Sequence, residues 1–156
     1  MADKWIMNFI YQKIEMERLN KDRFHYAYLL VSNRKNILSD GRNDFIQDQT
    51  CTTVHAEISA LMKIRYECKK SVDLVVIKLN KDGNIGKAKP CDHCLYILHQ
   101  SKVNIKNVYY STIIDDKKYI IKEKFCKMIN YNIHDKKVTS KSPRYKSSNQ
   151  VFYHST

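Results

Sequence analysis

Two short stretches, His55-Ala56-Glu57 and Pro90-Cys91-Asp92-His93-Cys94, constrain this chain more than anything else in it. One histidine and two cysteines offer three donors of the kind Zn2+ takes. Three protein ligands leave the fourth tetrahedral position open, the mark of a catalytic and not a closed structural zinc site. Glu57 lies two residues after His55, about 200° further round a helix. That offset suits a proton carrier beside the metal better than a second ligand. Cys91 and Cys94 are three apart, on one helix face, and a helix N-terminus there would help a bound Zn2+ to hold both as thiolates. His93 falls off that face and reads as solvent-facing or as an outer donor.

Two other readings of the same residues stay open. Cys51 as a fourth ligand would close the site as Cys3His. A Cys91–Cys94 disulfide needs an oxidising compartment, which an odd cysteine count and the absence of a secretory signal argue against.

The remaining pattern is that of one α/β domain. The 156 residues suffice for a core without disulfide staples. Trp5, Ile6, Phe9, Ile10, Ile14 and Leu19 recur at helical spacing, predicting an amphipathic helix over 4–19 with Asp3 as a cap. Residues 24–32 read as a buried strand, Asn33-Arg34-Lys35-Asn36 as a turn, and Ile37-Leu38-Ser39 as a return strand ending at Gly41. His25 falls on the first strand with no chemical role assigned. A polar loop then leads to His55.

A helix is expected over about 54–68, with Thr52 or Thr53 as cap and His55 and Glu57 in its first turn. Ser71 to Leu79 is a continuous apolar run, typical of a strand covered on both faces. Pro90 suits the first position of the next helix, and Ile105 to Thr112 forms a further strand. Asp115-Asp116-Lys117-Lys118 is a turn, with Tyr119 to Lys124 returning as a hairpin strand; a helix over 119–129 is the alternative. The domain is therefore drawn over 1–134, with its core at 24–125. A basic tail over 135–156 lacks any apolar period and is expected to be flexible.

Composition narrows the partners less. The formal charge is +12, which invites a polyanion. Most of that charge is lysine, however, and guanidinium forks are the better tool for phosphate and base contacts. Solvated lysines and a nucleic-acid surface both remain open. No apolar run approaches the roughly 20 residues that span a bilayer, and Met1-Ala2-Asp3-Lys4 has no signal or transit composition. A soluble, cytoplasmic protein without a membrane partner is the expectation.

H-x-E followed by P-C-x-x-C is the signature of zinc deaminases. With these motifs in place, residues 24 to 125 resemble the cytidine deaminase-like superfamily, the zinc-dependent cytidine and deoxycytidylate deaminases. The resemblance implies a three-layer α/β/α domain around a mixed sheet of about five strands. It implies Zn2+ held by His55, Cys91 and Cys94, with Glu57 shuttling protons, and homo-oligomers of the kind common among relatives. The implied function is hydrolytic conversion of cytosine to uracil in a pyrimidine nucleoside or nucleotide (cytidine, deoxycytidine or dCMP), a step of pyrimidine metabolism.

Candidate substrate contacts are Asn43, in the place where relatives meet the sugar, together with Ala56, Lys89 for a phosphate, and Tyr110 as a stacking ring. The alternatives are a deaminase of single-stranded DNA or RNA acting in nucleic-acid editing, a tRNA adenosine deaminase, and a non-catalytic zinc-stabilised nucleic-acid-binding domain. Ala88-Lys89-Pro90 and His93 depart from the motif of the tRNA adenosine enzymes. A hairpin after Thr112 resembles the branch that holds the free cytidine deaminases and several toxin-type cytosine deaminases, while the glycine-rich cysteine segment usual in the free cytidine deaminases is absent.

Overall fold

The computed structural model describes residues 2–19, 24–32, 36–45, 53–64, 68–134 and 150–152. Its centre is a mixed sheet. The strands are β1 (Phe24–Val31), β2 (Asn36–Arg42), β5 (Ser71–Leu79), β7 (Asn104–Ile114), β8 (Lys117–Lys124) and β9 (Gln150–Phe152), in the spatial order β2-β1-β5-β7-β8-β9. The short β6 (Ile85–Gly86) pairs with the end of β5. The sheet is therefore larger than the five strands expected. β3 (Asp44–Phe45) and β4 (Thr53–Val54) form a separate two-stranded ribbon within the stretch read as a loop.

Only β5 and β7 run parallel; the other pairings along this order are antiparallel. The hairpin after Thr112 is present, and its turn is tighter than the four residues expected. Asp115 and Asp116 take positive φ angles of 50° and 61°, the two-residue geometry whose twist matches the flanking strands. The strand runs to Lys124, and α4 (Phe125–His134) follows directly, so the hairpin and helix readings each describe part of that stretch. Gln150–Phe152, inside the expected tail, pairs with β8; residues 135–149 lie outside the described chain.

The period of two along the strands sorts the core into layers. Tyr26, Tyr28 and Leu30 of β1 join Val75, Ile77 and Leu79 of β5 and Tyr109 of β7 against Ile6, Ile10 and Ile14 of α1 (Ala2–Glu17). The intervening residues Ala27, Leu29, Val72, Leu74, Val76, Val108 and Tyr110 face the other way. They meet Ala56 and Ala60 of α2 (Ala56–Met62), Leu95 and Leu98 of α3 (Asp92–Gln100), and Phe125 and Met128 of α4. This is the α/β/α sandwich. Among the described residues no helix is long and apolar enough to cross a membrane.

α2 and α3 precede the two parallel strands, β5 and β7, so both helix N-termini lie toward the carboxyl ends of that pair. That is where open α/β sheets place their sites. One glycine sets how closely α2 approaches. A Cβ on Gly41 would run into the Ala60 amide nitrogen and come within 2.7 Å of the Ala56 carbonyl oxygen and 2.9 Å of Ser59 C. All three are backbone atoms and cannot swing aside. Ser39 Oγ completes the seam by donating to the Ala60 carbonyl at 2.8 Å. Gly41→Ala is expected to cost about 1–3 kcal/mol by overpacking and to lower zinc retention, because α2 carries Glu57 and begins at His55. Urea melts and metal content of the purified variant check this; an unchanged midpoint would refute it.

Candidate active site

α2 and α3 begin in the same manner. His55 and Cys91 are the N-cap residues, both in extended backbone (ψ 151° and 164°), and neither side chain caps its own helix. Their carbonyls accept the first helical bonds, from Ser59 N–H at 2.9 Å and Leu95 N–H at 3.0 Å. The side chains remain available for other work. This shifts both motifs relative to expectation. His55 precedes the first turn and is not capped from Thr53, which lies in β4, while Thr52 is outside the described residues; Pro90 stands before the helix and not at its first position. α2 is also shorter than the pattern to Cys68 implied.

The two helix ends converge. Cys94 Sγ lies 3.2 Å and Cys91 Sγ 3.5 Å from His55 Nδ1. The three donor atoms lie within 4.8 Å of one another, and among the described residues this is the group able to hold a metal. His93 is exposed and stands apart. Cys51 lies outside the described residues. Cys94 is fully buried, and its thiol is pushed above its ordinary range by burial and then by the neighbouring Glu57. The start of α3 thus does not by itself hold Cys94 as a thiolate. A buried thiol, an exposed thiol and an imidazole at this spacing form a donor set suited to Zn2+.

Glu57 is 5 % exposed, and its carboxylate accepts from Cys94 Sγ at 3.9 Å. Burial pushes its carboxyl above the usual range, with His55 and Cys94 among the contacts pulling the other way. A buried carboxyl beside the donor set is placed to exchange protons with a group reacting there.

A cleft of about 280 Å³ opens beside these groups, lined by His25, Asn43, His55, Ala56, Glu57, Ala88, Lys89 and Cys91. Asn43, Ala56 and Lys89 therefore come together with the donor set. Lys89 is half-buried; burial lowers its ammonium below the ordinary range, while Glu123 and Asp92 oppose that shift. Tyr110 is a correction. It is fully buried, its ring packs in the core, and its hydroxyl donates to Glu123 at 3.0 Å. Tyr109 is buried against the opposite layer, so neither ring forms a stacking wall.

A model of the family described as the cytidine and deoxycytidylate deaminase zinc-binding region matches residues 1–112. The chain belongs to this family. No curated protein matches it. Zn2+ is the metal this deaminase domain takes, and His55, Cys91 and Cys94 are the cluster that fits it.

Two residues, one lining the cleft and one behind it, escaped sequence reading. His25, left without a role, lines the cleft. Ser111, deep in β7 and fully buried, builds the approach to Cys91. Its Oγ donates to the Gly86 carbonyl at 2.8 Å and accepts from Lys78 N–H at 3.1 Å, and its carbonyl accepts from Ala88 N–H at 2.9 Å. Those bonds tether the segment just before Lys89-Pro90-Cys91. A serine following Val108-Tyr109-Tyr110 was the available signal, since a buried hydroxyl needs partners.

Proposed function

We propose that this protein is a hydrolytic deaminase of cytosine in a free nucleoside or nucleotide, releasing uracil compound and ammonia. The observation that carries the reading is a small cleft in which a buried Glu57 sits beside the His55, Cys91 and Cys94 donor set. At about 280 Å³ it lies at the lower end of the roughly 300–1,000 Å³ usual for small-molecule sites. No Phe, Tyr or Trp lines it, so the stacking platform that single-stranded nucleic acid uses is missing from its described wall.

The residues divide the work as follows. Zn2+ at His55, Cys91 and Cys94 supplies Lewis-acid chemistry and lowers the pKa of water toward neutrality. Glu57 takes a proton from the attacking water, passes it to ring N3, and delivers a proton to the amine as the C4–N bond breaks. Water adds at C4 and ammonia leaves, so atoms balance. Asn43 orients the sugar, Ala56 leaves room for the ring, and Lys89 offers a cation to a 5′-phosphate.

The test is ammonia release by zinc-loaded protein offered cytidine, deoxycytidine, dCMP, single-stranded DNA, RNA and adenosine-containing tRNA in parallel. Turnover of a free pyrimidine compound is expected. Turnover confined to a polymer, or to adenosine, would overturn the assignment.

A further inference from the structure

We propose that His25 is a specificity-determining residue of the cleft, reading a 2′- or 3′-hydroxyl of the nucleoside sugar as one half of a donor–acceptor pair with Asn43. This rests on the nucleoside-deaminase reading above.

His25 is the second residue of β1 and lies opposite Lys78 near the end of β5, at the edge of the sheet that borders the cleft. Its backbone clasps Asn43 from both sides. His25 N–H donates to Asn43 Oδ1 at 2.7 Å, and Asn43 N–H donates to the His25 carbonyl at 3.2 Å. The side-chain oxygen of Asn43 is thereby occupied. What Asn43 offers a ligand is its amide N–H2, a donor.

The imidazole supplies the complement. It lines the same cleft as the Asn43 amide, and a neutral imidazole has one donor and one acceptor nitrogen. Burial, with Lys78 and His55 close by, holds the ring below its ordinary range.

One wall of the cleft therefore offers an acceptor on His25 next to a donor on Asn43. A hydroxyl both donates and accepts and satisfies the two together. A phosphate oxygen only accepts and would leave the His25 nitrogen unpaired; an apolar group would leave both unpaired. The sugar is the part of a nucleoside that carries hydroxyls, and the base is directed to Glu57 and the metal donors.

The test uses zinc-loaded protein in two arms. In the first, binding of cytidine, 2′,3′-dideoxycytidine and free cytosine is measured by calorimetry in the Glu57→Gln background, alone and with His25→Phe or His25→Gln added. In the second, kcat and KM are measured for the same His25 substitutions in the otherwise native chain. His25→Phe is expected to weaken cytidine about tenfold, the loss of one ligand hydrogen bond. Dideoxycytidine and cytosine should change little, and KM should rise with kcat nearly held. His25→Gln, which keeps an acceptor, should recover part of the loss, and zinc content and melting temperature confirm that the variants fold. An equal loss for cytidine and dideoxycytidine would reduce His25 to a structural strut and overturn the proposal, as would no loss at all. If the native protein binds nucleosides but deaminates none, the proposed function falls, while the cytidine-to-dideoxycytidine ratio still decides the role of His25. If it binds no nucleoside, both fall.

Discussion

Glu57→Gln removes turnover by about 10²–10⁴-fold, the usual worth of a general acid–base group, while zinc content and melting temperature stay at their native values. The side chain is 5 % exposed and accepts from Cys94 Sγ at 3.9 Å. Glutamine fills the same volume and keeps one oxygen to accept that bond, so packing around the donor set survives. What disappears is a group able to take and return protons. The measurement pairs steady-state ammonia release with metal analysis of the same preparation. Native turnover in this variant would remove Glu57 from the chemistry. Loss of zinc would instead make Glu57 a ligand and invalidate the division between His55 and Glu57 within one motif.

Cys94→Ser empties the metal site. A serine hydroxyl resists deprotonation and is a poor donor to Zn2+, which leaves one imidazole and one exposed thiolate to hold the ion. Zinc content should fall from near one per chain, expected for a single three-ligand centre, to background, and turnover should fall with it. Stability should drop as well, because a ligand that binds only the folded chain stabilises it by mass action, about 2.7 kcal/mol at one hundred times its Kd. For a chain of this size that corresponds to about 5–10 °C in melting temperature. Treating the native protein with a chelator should reproduce the shift, and added Zn2+ should reverse it. Two comparisons sharpen the result. His93→Ala alters an exposed residue and should keep its metal. Cys51→Ser should keep metal and activity if the centre has three protein ligands, and lose metal if it is a closed Cys3His site. Full zinc content in Cys94→Ser would refute the ligand set.

Much of the site was legible because its chemistry is written locally. H-x-E and P-C-x-x-C each place their side chains within one turn, so spacing alone predicts which residues can share a metal. The strands were legible for a similar reason. Leu74 to Ile77 of β5 is buried on both faces and therefore continuously apolar, and β1 and β7 carry the bulky and β-branched residues that such surfaces select.

Boundaries were less legible. The apolar positions through Cys68 continue a helical period past Met62, where α2 ends, because hydrophobic spacing records which residues face the core and not where backbone bonding stops. Tyr110 misled for another reason. A tyrosine on a strand reads equally well as a stacking surface or as core, and only the partner at its hydroxyl, Glu123 on the neighbouring strand, decides between them.

The sequence by itself determined the metal donors, the mixed α/β class and the hairpin after Thr112. Each depends on residues close together in the chain, where stereochemistry and periodicity act directly. Tertiary structure alone decided that His55 and Cys91 both stand at helix N-caps facing each other, 36 residues apart. It alone decided that Gly41 admits α2 against β2, that Ser111 tethers the loop before Cys91, and that His25 and Asn43 share one wall of the cleft. Those relations come from strand order and register. Which strands become neighbours is settled by packing of the whole core, a long-range outcome that the local pattern of residues does not encode.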